Sequence, residues 1–368
     1  MIGLGKHLFA LVIFSFALSA APQGKTKNVF LITTDGLRWQ EVFSGAEEQL
    51  MTKTNGGVLN TNALRRDFLR DTPEARRKAL LPFFWSEISS KGQIFGNQQK
   101  GSVARVTNGR FFSYPGYSEF LTGVVDPNIK SNDKRPNPNT NVFEWLNLKP
   151  AYKGKVAAVV NWDVIPWILN AERSKLPVWS GFPLPKGAPE RIKISPALDQ
   201  LIQNTTPLWD MMMLDTFTHQ AAMDYVKSAK PRALYIAYGE TDEWAHESRY
   251  DLYLRSAYNV DRYIKSLWEM VQAMPEYRDQ TTFIITTDHG RGVGKSAWKN
   301  HGAEIAEAEF IWLAVIGPDT APLGERSQCG VVTQSQVAAT IAALLGEDFC
   351  AAVPQAARPI ADVLKKSK

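Results

Sequence analysis

The chain has 368 residues, 44% of them hydrophobic and 21% charged. That length and apolar content supply a core for one large domain or two smaller ones and exclude an intrinsically disordered chain. The net charge of +5 is small for this length and forms no concentrated basic stripe, which excludes a nucleic-acid surface while allowing attraction to anionic substrates.

The N-terminus carries Lys6 and then Leu8 to Leu18, apolar at every position but Ser15, followed by the small residues Ser19, Ala20 and Ala21. A charged start, a short apolar stretch and a small-residue end predict a secretory signal. The run is short of the about 20 apolar residues that a membrane helix needs. Cleavage near Ala20 would divide the chain into a signal over 1–20 and a mature domain over 21–368, exported to a periplasm or the medium with no membrane span in the mature chain. The two cysteines, Cys329 and Cys350, bracket a helical stretch, and export predicts a disulfide between them.

In chain order, Val29–Thr33, Val156–Val160, Ala233–Ala237, Phe283–Thr286 and Phe310–Ile316 are short, continuous apolar runs. Continuity, in place of alternation, predicts strands buried on both faces, as in a parallel sheet. Helical patterns run between them over Ala79–Ser90, Pro207–Ser228, Leu252–Met274 and Thr333–Leu345; in the third, Tyr253, Leu254, Ala257, Val260, Ile264 and Leu267 recur at helical spacing. The alternation predicts an α/β fold, a largely parallel central sheet with helices on both faces. Asp126–Asn141 and Pro177–Pro196 read as long loops that could rim a site.

Three aspartates, Asp35, Asp242 and Asp288, follow predicted strands, at the sheet edge where α/β proteins bind ligands. A lone Asp there is usually a turn or cap residue. Here Asp242 and His246 are spaced to share one helix face, His289 adjoins Asp288, and His301 follows in the next loop. Imidazole and carboxylate together suit a divalent ion such as zinc. His219 lies within a helical pattern and reads as structural. The stretch Ser113-Tyr114-Pro115-Gly116 opens a helix, which places Ser113 at an N-terminus that favours anions; Ser118, inside the helix, is the rival nucleophile. Trp39, Trp244 and Trp298 lie close in sequence to these positions and offer either a stacking wall or core packing.

The ordered set resembles the alkaline phosphatase superfamily, and within it the type I phosphodiesterase/nucleotide pyrophosphatase branch. The residues that carry the resemblance are Asp35, Ser113-Tyr114-Pro115 with Thr122-Gly123, Asp242 with His246, Thr287-Asp288-His289-Gly290 and His301. It implies two divalent ions, zinc first, then manganese or magnesium. One would be held by Asp35, Ser113, Asp288 and His289, the other by Asp242, His246 and His301. It further implies Ser113 as the nucleophile toward a phosphate ester, monoester or diester, on a small molecule, glycan or lipid. By the same resemblance an Asn is expected three residues after the nucleophile, where Gly116 stands; Arg110, Asn108 and the Asn137/Asn139 loop are candidates to contact the substrate instead. A sulfatase would need Cys/Ser-x-Pro-x-Arg, and the Arg is missing here. The same superfamily also admits a phosphotransferase, a phosphoglycerate mutase-like isomerase, or a binding protein with a decayed site. All seven ligand positions being present weighs against decay.

Overall fold

The computed structural model describes residues 24–189 and 192–364. The expected signal, 1–20, lies outside them. Among the described residues no helix is long and apolar enough to cross a membrane.

The strands are β1 Asn28–Thr34, β2 Gly92–Phe95, β3 Ala104–Arg105, β4 Val156–Val160, β5 Val178–Trp179, β6 Ala233–Tyr238, β7 Thr281–Thr286, β8 Phe310–Ile311, β9 Leu313–Ile316, β10 Gly324–Glu325 and β11 Val332–Thr333. Eight form one sheet in the order β10-β2-β9-β7-β1-β6-β4-β5. Its centre and the β5 edge are parallel, and β9 alone runs against its neighbours. The small second sheet is β11-β3-β8.

Both faces of the main sheet are covered, as the continuous apolar runs predict. Val29 and Leu31 enter the core on one face, with the Ser113–Thr122, Val142–Asn147 and Val337–Leu344 helices. Phe30 and Ile32 enter the opposite core, with the Trp39–Ser44, Asp215–Ala229 and Tyr250–Ala273 helices. All four side chains are fully buried, and each contributes roughly 1.5–3 kcal/mol relative to exposure.

Four expectations are corrected. The run 310–316 is two strands: Trp312 turns out of the ladder, its ring buried and its Nε1–H donating to Leu37 O (2.9 Å), so β8 pairs in the small sheet and β9 in the large one. The helix expected over 79–90 is broken. Its first part, Pro73–Leu80, stops because Pro82 bars the helical conformation at Leu81, and a wide π turn resumes at Phe84–Ile88. The helix expected from Pro207 begins only at Asp215. The disulfide does not form: both thiols are free. Each has its own partner, Cys329 Sγ toward Ser102 Oγ (3.3 Å) and Cys350 Sγ toward the carbonyls of Ala356 and Ala357.

Candidate metal centre

Because β1, β6 and β7 are parallel neighbours, their C-terminal ends deliver Asp35, the Glu240–His246 helix and Asp288 to one edge. Asp35 extends the ladder one step, its N–H donating to Tyr238 O (2.9 Å). The Glu240–His246 helix is short and owes its start to buried Asp215. That carboxylate accepts from the N–H groups of Gly239 (2.9 Å) and Glu240 (3.2 Å) and from Asn161 Nδ2 (2.8 Å). One helical turn then sets Asp242 and His246 side by side, Oδ2 to Nε2 at 3.0 Å.

Ser113 is the first residue of the Ser113–Thr122 helix. Phe112 occupies the cap position, so Ser113 is not the cap. Phe111 before it has φ of 55°, a left-handed conformation that a bulky residue adopts only when held there. The hold comes from Asn108, whose Oδ1 accepts from the N–H groups of Arg110 and Phe111, and from buried Glu119. Glu119 accepts from the N–H groups of Thr107 and Asn108 and from the Thr107 hydroxyl.

Two groups of ligand-bearing side chains result. In the first, Asp35, Asp288 and His289 present atoms that all lie within 4.8 Å of one another. His289 Nε2 is 3.3 Å from Asp35 Oδ1, 3.4 Å from Asp288 Oδ2 and 3.5 Å from Ser113 Oγ. In the second, Asp242, His246 and His301 meet the same 4.8 Å limit, with 3.1 Å between the two Nε2 atoms. The groups adjoin: the rings of His289 and His301 stack at 4.0 Å. His289 directs Nδ1 to Gly290 O (2.9 Å) and His301 to Phe111 O (3.2 Å). Each carbonyl accepts a hydrogen bond from Nδ1–H, so in the neutral, metal-binding form of each ring the Nε2 lone pair faces the centre.

The donors fit divalent cations. Asp35 Oδ1 and Asp288 Oδ2 are buried and accept no hydrogen bond, which is costly for carboxylates unless a cation meets them. Burial first, and the neighbouring Asp35 carboxylate second, push Asp288 well above the usual range. Burial also acts to raise Asp35, but His289, Tyr117 and Arg291 outweigh it and hold it low. Burial opposes protonation of His289, yet Asp288 and Asp35 lift it to about 9. Burial, then the nearby His289 and Arg291 charges, lower His301 and keep its ring neutral. Two carboxylates this close cannot both ionise cheaply without added positive charge.

The structure brings all seven expected positions to this edge. The substrate candidates fare differently. Asn108 shapes the loop with its Oδ1, while its Nδ2 is buried and unpaired. Arg110 is exposed. Asn137 donates to Ser118 Oγ (2.9 Å), and Asn139 to Asp126. Trp298 is core, packed on Tyr250 and Tyr253, and Trp39 is buried; Trp244 meets Trp209 edge-on at 4.7 Å. His219 is structural, bonded to the Tyr238 and Ser266 hydroxyls.

Three neighbours were not foreseen. Tyr117 donates its hydroxyl to Asp35 Oδ2 (2.9 Å). Buried Arg291 binds Asp242. Asn132, in the loop 126–141, accepts at Oδ1 from the N–H of Tyr114 (2.9 Å), which sets its carboxamide over the start of the Ser113–Thr122 helix. The Asn-rich composition of that loop was the only signal for it. Gly116 is glycine for a packing reason: a Cβ there would lie 2.3 Å from Asp288 O. No side chain can point from that position.

The fold is α/β and alkaline phosphatase-like. No protein-family model matches the sequence, and no curated protein matches it. Solved structures do match in fold. The alkaline phosphatase PafA aligns over 94% of this chain and 100% of its own, with a TM-score of 0.56 at 11% identity. A 2-O GAG sulfatase aligns over 93% and 75% (0.54, 13%). The phosphonate monoester hydrolase SpPMH from Silicibacter pomeroyi aligns over 93% and 78% (0.53, 14%).

Proposed function

We propose that this chain is an exported two-metal hydrolase of phosphate esters with Ser113 as its nucleophile. The observation that carries the reading is the convergence of Ser113 Oγ on the Asp35/Asp288/His289 group, with the Asp242/His246/His301 group beside it. The phosphodiesterase/nucleotide pyrophosphatase branch is the subgroup that the motif set fits. Export rests on the pattern around Lys6, Leu8–Leu18 and Ala20.

Asp35, Ser113, Asp288 and His289 would hold one ion and Asp242, His246 and His301 the other; the imidazole-rich donor set suits zinc ahead of manganese or magnesium. When bound, such a pair supplies Lewis acidity at the attacking and leaving oxygens of an in-line displacement. The chain's own residues do the rest. The helix N-terminus directs positive potential at the incoming anion. Ser113 Oγ attacks phosphorus, the ester P–O bond breaks and the alcohol departs; water then hydrolyses the phosphoserine. Tyr117 and the Gly36 N–H hold the Asp35 and Asp288 carboxylates in orientation. Asn132 Nδ2, oriented by the bond at its Oδ1, donates to a phosphoryl oxygen.

A sulfate-ester hydrolase is the second reading, because a sulfatase shares the fold to the same degree. The position where that chemistry requires Arg is Tyr117, committed to Asp35. Acid quenching during turnover of p-nitrophenyl phosphate, followed by peptide mass spectrometry, tests the phosphate reading. Phosphate on the peptide carrying Ser113 supports it; phosphate at Ser118, or a turning-over enzyme that never carries phosphate, contradicts it. Asn132→Ala should lower kcat roughly 10²-fold with an unchanged melting temperature; full kcat would remove Asn132 from the site.

A further inference from the structure

Arg291 is fully buried two residues beyond His289, and none of its donors points to solvent or substrate. Nε donates to Gly36 O (3.1 Å), Nη1 to Lys299 O (2.6 Å), and Nη2 to the backbone O of Asp242 (3.3 Å) and to Asp242 Oδ1. These acceptors belong to three separate segments. Gly36 follows Asp35, Asp242 is itself a ligand position, and Lys299 lies two residues before His301. The packing is tight: a Cβ on Gly36 would stand 2.8 Å from Arg291 Nε and 2.7 Å from Asp242 Oδ1.

The contact on Asp242 is asymmetric. Arg291 takes Oδ1, and Oδ2 is left facing His246 Nε2 at 3.0 Å. His246 is 46% exposed at its side chain, whereas Asp35, Asp288 and His289 are buried. The first group thus has two carboxylates and a closed surround. The second has one carboxylate, shared with a fixed guanidinium, and an open side. A planar guanidinium spreads its donors over three nitrogens in a rigid fork and so reaches acceptors on separate segments; an ammonium's donors radiate from a single nitrogen, and a carboxamide has one donor nitrogen.

We propose that Arg291 is the positioning residue of the second metal site: it fixes Asp242 as a one-oxygen ligand and ties the His301 loop to the Asp242 helix, so that the Asp242/His246/His301 site holds its ion at full affinity only while Arg291 bridges them. The proposal rests on the two-metal reading. The first site, whose ligands Arg291 does not touch by a side-chain bond, should survive its loss.

Calorimetric titration of the metal-free full chain with Zn2+ alone separates the two sites. Wild type should take up two ions, the second more weakly. Arg291→Gln and Arg291→Lys should weaken the second ion by roughly 10- to 100-fold and leave the first within about threefold. Were charge the only role of Arg291, the Gln variant would bind the second ion more tightly, and that result overturns the proposal. So does a second-ion affinity unchanged in a folded variant, or equal loss of both ions. Arg291→Lys, which keeps a positive charge and most of the stem, serves if the Gln variant does not fold; a folded Lys variant with both affinities unchanged overturns the proposal. A wild type that takes up fewer than two ions overturns the two-metal reading as well, whereas a two-ion wild type with unaffected variants overturns only the role of Arg291.

Discussion

Ser113 and Ser118 share one helix, and their hydroxyls meet different partners. Ser113 Oγ faces His289 Nε2 at 3.5 Å, while Ser118 Oγ accepts from buried Asn137 at 2.9 Å on another side of the helix. Ser113→Ala should therefore fold normally, since Phe112 and not Ser113 holds the cap position, and lose at least ~10³-fold in kcat. Ser118→Ala should retain most activity but lose about 1–3 kcal/mol of stability, because Asn137 is left without its acceptor. Rates and denaturation midpoints of both variants check this; an active Ser113→Ala beside an inactive, folded Ser118→Ala would exchange their roles. That Asp35, Asp242, His246, Asp288, His289 and His301 gather at one edge was legible in the sequence, because scarce histidines stand next to strand-terminal aspartates. Asn132, Tyr117 and Arg291 were not, because their partners are 18, 82 and 49 residues away. Only the folded chain shows that a Tyr hydroxyl reaches Asp35, or that Gly116 is small because the backbone of Asp288 lies against it.

At the scale of elements, the buried strands were the clearest signal: β4 matches its expected bounds, and β1, β6 and β7 extend theirs by one or two residues. The misses have local causes. Pro82 breaks a helix that apolar spacing alone would continue, and Trp312 diverts a strand whose composition is continuously apolar. The cysteines failed as a pair because proximity in sequence to a common helix does not direct two sulfurs at one another. The Asp215–Ala229 helix carries a testable consequence of packing. His219 sits between Tyr238 and Ser266 and stacks on Tyr263 at 4.5 Å. Burial lowers it from 6.5 to about 4. Below pH 6.5 the unfolded chain binds a proton that the folded chain refuses, so stability falls as pH drops from 6.5 toward 4, by on the order of 3 kcal/mol. His219→Gln should flatten that fall in melting temperature and leave metal stoichiometry at wild-type level. An unchanged acid profile would remove His219 as its source, and a lost ion would make it a ligand.

At the scale of the molecule, the parallel run β7-β1-β6-β4 gathers the proposed ligands from segments more than 250 residues apart, from Asp35 to His301, onto one edge. Two apolar cores, one on each face, back that edge, and the loops 107–112 and 126–141 bring Ser113 and Asn132 to it. This much supports a hydrolytic centre; phosphate over sulfate rests on Ser113, on Tyr117 in place of Arg and on the second histidine-rich group. The most direct measurement is side-by-side turnover of p-nitrophenyl phosphate, its bis ester and p-nitrophenyl sulfate by the full chain, after chelation and again after Zn2+ or Mn2+ is restored. A two-metal phosphate-ester hydrolase should show no turnover in chelator. With metal restored, it should hydrolyse a phosphate ester at least ~10²-fold faster than the sulfate, a gap of roughly 3 kcal/mol in barrier. A sulfate ester cleaved faster than either phosphate ester, or full activity in the metal-free protein, would contradict that assignment.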